Sequence, residues 1–400
     1  MTPLYTTIFL IFLAALFLGA MRRGALSRLS DRPLVTLLAA IALGVVYQRM
    51  GLPEIDGGLI RLVADFAIAL LAFLAAQQCR IGRLRIVSPA AFRLSLFAPP
   101  LIMLMFIATG FVLVPGLDVF SMFVASTAIL LGGAPLLAGP LLTAPVDEAT
   151  KITSRVEGAT TLVLYLPLVL LIEAGASDTA IGTPPHEQPL FLALAGFAVG
   201  GAIGLLAGRK LPPSSAALPV MPFLVAAGVY VITRLLGLDA VMATLASGIM
   251  YSHEAPIKGE VRTRLWRAGE HLLTPIGLVT FGFVIGPTLL HPELLLWVAA
   301  IVFVVAGRAA ARFVALQGID VPSQDRTFLV WLGGAPGVAS ALILLSIAAG
   351  GPLQVDEMVV NMAALAIVAG ICLTRLTSRP LTRWLAHQTA RARKRRYSPS

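Results

Sequence analysis

The run Leu-Gly-Gly-Ala-Pro occurs twice in the chain, at residues 131–135 and again at residues 332–336. Each copy lies inside an apolar stretch near the ~20 residues that cross a bilayer, residues 118–142 for the first and 327–349 for the second. Proline removes a helical hydrogen bond and its ring collides with the preceding turn, while glycine accepts dihedrals that a helix excludes. Each stretch therefore reads as two half-helices joined by a short extended segment, broken at Gly133–Ala134 and at Gly334–Ala335. Non-helical backbone at membrane depth has no water to bond. It must be buried in protein or line a wet cavity.

Around these two runs, polar breaks divide the chain into thirteen apolar stretches: residues 4–20, 33–49, 58–77, 88–114, 118–142, 150–174, 189–208, 218–236, 238–251, 270–290, 293–317, 327–349 and 355–375. Connections after odd-numbered stretches hold the bases. These are Arg22, Arg23, Arg28 and Arg32; Arg80, Arg83 and Arg85; Lys151 and Arg155; Arg209 and Lys210; Lys258, Arg262, Arg264 and Arg267; and Arg326. Connections after even-numbered stretches, including residues 177–188 and 350–356, are nearly free of them. The positive-inside rule then puts the N-terminus outside and the C-terminus in the cytoplasm, and a count off by one would break the alternation downstream. Residues 1–7 lack a basic n-region, so the first stretch reads as an uncleaved membrane helix and not a signal peptide.

Taking stretches two to six and nine to thirteen as five-helix units puts each broken helix fourth in its unit. The two units enter the membrane from opposite sides, the signature of an inverted repeat with a transport site at the midplane. The expected fold is an all-α membrane protein of about thirteen transmembrane helices, with inverted five-helix repeats and two crossed discontinuous helices. Residues 1–376 form one transmembrane domain with interleaved core and scaffold parts, followed by a basic cytoplasmic tail at residues 377–400.

Composition agrees. Of the 400 residues 58% are hydrophobic and 12% charged, against about a quarter charged in a soluble domain, so lipid is the solvent. The net charge of +10 would suit nucleic acid, but eight of the thirty Lys and Arg lie between Arg375 and Arg396, beside the last apolar stretch. There they meet anionic lipid headgroups, which makes lipid the partner and removes nucleic acid. Cys79 and Cys372 give neither a disulfide framework nor a paired metal spacing, and the five histidines are scattered. No metal, cofactor, ATP-binding motif or catalytic constellation is expected. The chain reads as a gradient-driven carrier, not an enzyme.

Four stretches resemble the monovalent cation/proton antiporter superfamily. Residues 52–85, LPEIDGGLIRLVADFAIALLAFLAAQQCRIGRLR, are similar to the family's third span, with its acid at Asp65. Residues 245–253, LASGIMYSH, resemble the end of a scaffold helix in the second half; residues 274–286 resemble a proline followed by a phenylalanine- and glycine-rich helix. Residues 307–342 resemble the run with a mid-helix arginine, a polar loop, Trp-x-Gly and the second broken helix. The resemblance implies the sodium/proton-antiporter fold and an inner-membrane homodimer paired through scaffold helices. It also implies exchange of a monovalent cation for protons by alternating access of the elevator type. The departures fall on the ion-binding positions. Ala134 stands where the family usually has Asp or Thr, Glu157-Gly158 where it has an Asn-Asp or Asp-Asp pair, and Ala335-Pro336 where many members carry arginine. Gln77-Gln78-Cys79-Arg80 replace an acidic end of the third span, whereas Arg308 keeps the basic residue before the second break.

Glu157 is the one acid well inside the sixth stretch, and an ionisable group at that depth costs several kcal/mol and marks a functional candidate. It either alternates between proton and cation or forms a structural pair near the headgroups beside Arg155. Arg308 either pairs with Glu157, neutralises carbonyl ends of the broken helices, or binds a substrate anion. Arg312 reads as snorkelling to the cytoplasm, and Asp65 as an interhelical polar contact. Asn361 lies in the region pseudo-symmetric to Glu157. Ser126, Thr127 and Ser340 offer oxygens, or back-bond within their helices. The expected binding set is Glu157, Thr127, Arg308, Ser340 and the backbone carbonyls around Ala134 and Ala335. Two rivals stay open: a carrier or uniporter of another solute such as a small organic anion, which half-helix N-termini and Arg308 would favour, and a transport-deficient sensor or partner subunit. What separates them is whether Glu157 faces the crossing of the broken helices.

Overall fold

The computed structural model describes residues 33–51, 56–79, 89–131, 146, 148–177, 188–210, 220–255, 259–290, 293–334, 336–349 and 355–397. Among the described residues every regular element is a helix. The first unit contains α1 (Pro33–Arg49), α2 (Gly57–Gln78), α3 (Pro89–Leu96), α4 (Ala98–Leu113), α5 (Val119–Leu130) and α6 (Glu148–Ser177). Two helices, α7 (Pro189–Lys210) and α8 (Val220–Leu235), separate it from the second unit. That unit contains α9 (Ala240–Glu254), α10 (Gly259–Ile285), α11 (Leu294–Val302), α12 (Arg308–Ala315), α13 (Ser323–Trp331), α14 (Val338–Ala348) and α15 (Glu357–Tyr397).

Six segments are by themselves long and apolar enough to cross a membrane: Gly57–Gln78, Pro89–Leu113, Ala149–Ala174, Pro189–Lys210, Leu294–Ala315 and Glu357–Ser378. Shorter apolar helices lie in five of the other expected spans, the second, fifth, eighth, tenth and twelfth, and α9 lies in the ninth. The first expected span, the break at Gly133–Ala134 and, with them, the full count of thirteen lie outside the described residues. Several polar breaks in the sequence are helix caps. The Asp118 carboxylate accepts from the Ser121 amide at 2.7 Å, and the Asp239 carboxylate from the Met242 amide at 2.9 Å, each meeting an N–H that a helix start leaves unpaired. Two boundaries differ from expectation. α10 begins at Gly259, well before residue 270, and α15 continues through Pro380 to Tyr397. Both extensions are polar but rich in good helix formers, so they continue the turn after the apolar signal has ended.

The repeat shows in the packing. α1 lies along α10 and α9 along α2, so the first helix of each unit meets the second of the other, and α5 lies against α14. Helix contacts in lipid depend on close approach, because burying apolar surface gains little there. The closest approach is between α7 and α9, where Gly196, Gly200, Gly204 and Gly208 form a buried stripe. A Cβ added at Gly200 would overlap the backbone of Ala243. On the outer surface Leu43, Phe111, Leu206, Leu235 and Leu294 are exposed, an apolar face that suits hydrocarbon.

Candidate functional site

α13 stops at Trp331, where the Leu332 and Gly333 amides both turn back to the Phe328 carbonyl, at 2.9 and 3.3 Å. Gly334 follows with φ +58°, a left-handed conformation that costs other residues roughly 1–2 kcal/mol. The chain regains helical structure only at Val338. The second expected break is therefore present, with Gly334 inside the described residues and Ala335 outside them.

Breaking a helix here frees the last carbonyls of α13 in a buried place, and α12 supplies their donors. Arg308 donates to the carbonyls of Trp331 at 2.8 Å and Gly333 at 3.2 Å. One turn later, Arg312 Nε donates to the Leu329 carbonyl at 2.9 Å. The other face of the Arg312 guanidinium meets Glu157 on α6 with two bonds, Nη1 to Oε1 and Nη2 to Oε2, the latter at 2.8 Å. Glu157, Arg308 and Arg312 are only 3%, 2% and 1% exposed. Two positive groups at a helix C-terminus are favourable, because the unpaired carbonyls give that end a partial negative charge. α13 is further tied to α6 at its first turn by Thr150 donating to Asp325 at 3.0 Å, and to α15 at its end by Trp331 Nε1 donating to Thr377 at 2.8 Å.

This corrects two expectations. Glu157 pairs with Arg312 and not with Arg308, and Arg312 is buried instead of snorkelling. Arg308 takes the second of its expected roles, on the carbonyl ends. Arg308 and Arg312 lie one turn apart on the same face of α12, so which of them meets Glu157 depends on the height at which α6 passes. The direction of that face follows from a π turn at Phe303–Gly307, directly before Arg308. One extra residue in a helix turns everything after it by ~100°. An uninterrupted 3.6-residue period therefore misplaces both arginines.

Glu157 does face the break: a Cβ built on Gly334 would lie 3.2 Å from its Oε1. The other expected residues divide. Ser340 on α14 donates to the Ile129 carbonyl of α5 at 3.4 Å, bringing the helix that follows the second break to the end of α5. Thr127 and Ser126 back-bond to Val124 and Phe123 within α5. Asp65 makes the expected interhelical contact, accepting from Ser346 on α14 at 2.7 Å. Asn361 is half-buried on α15. Ala134 and Ala335 lie outside the described residues, as does the Arg155 side chain. Among the described residues no three His, Cys, Asp or Glu gather as a metal site.

Two features went unread in the sequence. Along α6, Thr150, Thr153, Ser154, Glu157, Thr160 and Thr161 are all buried. Their helical period was the available signal that this is an inward polar stripe. The second feature is a contact between α2 and α6: Arg61 donates to Glu173 at 3.0 Å and lies 3.7 Å from Asp65. The spacing of Arg61 and Asp65 hinted at their pairing, but nothing local pointed to Glu173.

Similar architecture is found among solved structures. One is the sodium proton antiporter MjNhaP1 from Methanocaldococcus jannaschii at pH 8, with TM-score 0.63 and 13% identity, covering 96% of this chain and 100% of that one. An electron-microscopy map of the same antiporter gives TM-score 0.56 and 17% identity, covering 98% and 99%. At such identities the likeness is one of fold. The sequence model described as "Sodium/hydrogen exchanger, transmembrane" matches residues 8–384. No curated protein matches the sequence.

Proposed function

The chain belongs to the sodium/hydrogen exchanger family, and from that premise we propose that it is a secondary transporter exchanging a monovalent cation for protons. The observation that carries this reading is the contact between α14 and the end of α5, beside the buried network at the α13 break. Facing ends of interrupted helices supply carbonyl oxygens and partial charges that replace an ion's hydration shell at the membrane midplane. The proposed ligands are carbonyls around Ala134 and Ala335 together with the hydroxyls of Thr127 and Ser340. Arg308 holds the α13 end that positions them.

Glu157 has a different part from the one its depth suggested. Both its oxygens are occupied by Arg312, and a monovalent cation would have to displace a guanidinium held by two charge-assisted bonds. We assign Glu157 to bracing the broken helix. The carboxylates left to couple protons to movement are Asp65 and Glu173, on opposite sides of the α2–α6 contact. In this reading α3 to α6 and α11 to α15 form a core that moves, in elevator fashion, against a scaffold of α1, α2, α9 and α10. The glycine-mediated contacts of α7 with α9 and of α1 with α10 keep that scaffold rigid, and it also forms a homodimer. Residues 1–376 act as one transport domain in the inner membrane, with the N-terminus outside and the basic tail in the cytoplasm.

One observation favours a second reading. Among the described residues the network holds two arginines against one carboxylate, and the Arg308 Nε has no partner. That excess positive charge suits a small organic anion. The two readings separate in proteoliposomes loaded with a pH dye and pulsed with Na⁺, K⁺ and Li⁺ in turn. Exchange predicts a cation-dependent proton flux that does not depend on the accompanying anion. No flux with any of the three cations, alongside uptake of a carboxylate, would leave the anion reading in its place.

A further inference from the structure

A cavity of about 490 Å³ opens where α12, α13 and α15 meet, lined by Phe313, Arg326, Val330, Trp331, Leu381 and Trp384, among others. That volume falls within the ~300–1,000 Å³ of small-ligand pockets. It sits where the apolar window Glu357–Ser378 gives way to the polar part of α15, the level at which a bilayer changes from chains to headgroups. Its wall is almost entirely apolar, yet two of the chain's four tryptophans face it. Tryptophan prefers the membrane interface, where its ring is buried and its N–H is satisfied. Trp331 shows that division, its N–H donating to Thr377. Phe313 and Trp384 remain 48% and 46% exposed, so the groove stands open along one side.

Among the described residues Arg326 is the only charged side chain in the lining, and no acid lines the cavity. Its Nη2 donates to the Ile319 carbonyl at 3.1 Å, while its Nε is buried without a partner among the described residues. An apolar trough with one guanidinium at the membrane boundary is complementary to a molecule with an acyl chain and an anionic head. A free phosphate would gain nothing from the indoles, and a neutral lipid would gain nothing from the arginine. We propose that this groove is a binding site for an anionic phospholipid, its acyl chain against Trp331, Val330 and Trp384 and its phosphate on Arg326. The groove shares Trp331 with the end of α13, but lipid binding there does not depend on which solute is carried.

The test uses the full chain in phosphatidylcholine vesicles, with Trp266 and Trp297 replaced by phenylalanine, so that Trp331 and Trp384 carry all tryptophan emission. Brominated phosphatidylglycerol or brominated phosphatidylcholine is titrated in as a contact quencher. Phosphatidylglycerol should compete for the groove about five-fold better, the effect of one basic residue on an anionic lipid. Arg326→Gln should bring the two quenching curves together, and Arg326→Lys should keep most of the difference. Val330→Phe, which fills the trough without adding a tryptophan or touching the charge, should flatten both curves. Equal quenching by the two lipids in the parent protein would overturn the proposal. So would a preference that survives Arg326→Gln, or an absence of quenching by either lipid, since protein would then cover the groove.

Discussion

Replacing Glu157 with glutamine removes one charge from the network at the break and changes almost nothing in volume. The amide oxygen can still accept one bond from Arg312, but the amide nitrogen then faces a guanidinium N–H, donor against donor. Arg312 is 1% exposed and keeps, besides that single bond, its bond to the Leu329 carbonyl. Removing one partner of a buried ion pair leaves the other uncompensated, at a cost of about 3–5 kcal/mol, and Arg308 nearby adds a second unneutralised positive group. Glu157→Gln should therefore lower the thermal stability of the detergent-solubilised protein by several kcal/mol, and Arg312→Gln should do the same. The double variant leaves no unpaired charge in the pair, so its loss should fall short of the sum by ~1–3 kcal/mol. Thermal or denaturant unfolding of the four proteins measures the cycle, and proton flux in liposomes is recorded on each. A Glu157→Gln protein as stable as the parent but without flux would refute the brace and return Glu157 to the exchanging role. Full stability together with full flux would remove it from both.

Three further outcomes follow from the same geometry. Gly334→Ala meets both a positive φ and an overlap with the Arg312 guanidinium, so it should destabilise by more than the ~1–2 kcal/mol of the backbone term and should loosen Glu157, read as lost stability and reduced flux. Gly200→Ala drives a methyl into the Ala243 backbone and should cost about 1–3 kcal/mol. Gly228→Ala, with nothing within 4 Å, should be neutral or slightly stabilising, and equal behaviour of the two would contradict the α7–α9 contact. Arg61 is 34% exposed at its side chain, so Arg61→Gln should change stability by no more than ~1 kcal/mol. If the Arg61–Glu173 pair joins core to scaffold, the same change should shift transport rate, with recovery in the exchanged pair Arg61→Glu with Glu173→Arg; an unchanged rate in Arg61→Gln would remove the pair from the cycle.

The all-helical fold, the repeat and the interrupted helix at residue 334 were legible along the chain, because they depend on what a residue does to its own backbone. Two glycines followed closely by a proline favour a break in mid-membrane, aspartates cap a helix, and apolar runs of the right length span. The partners were not legible. Arg312 finds Glu157 across 155 positions and Arg61 finds Glu173 across 112, and each meeting depends on how two helices are rotated about their axes. One π turn, with no marker in a pattern of apolar residues, redirected both arginines of α12. The same holds for the groove at Arg326, whose apolar and charged walls come from three helices that only packing brings together. Local chemistry decided where this chain bends and spans; the relative rotation of its helices decided which buried charges meet.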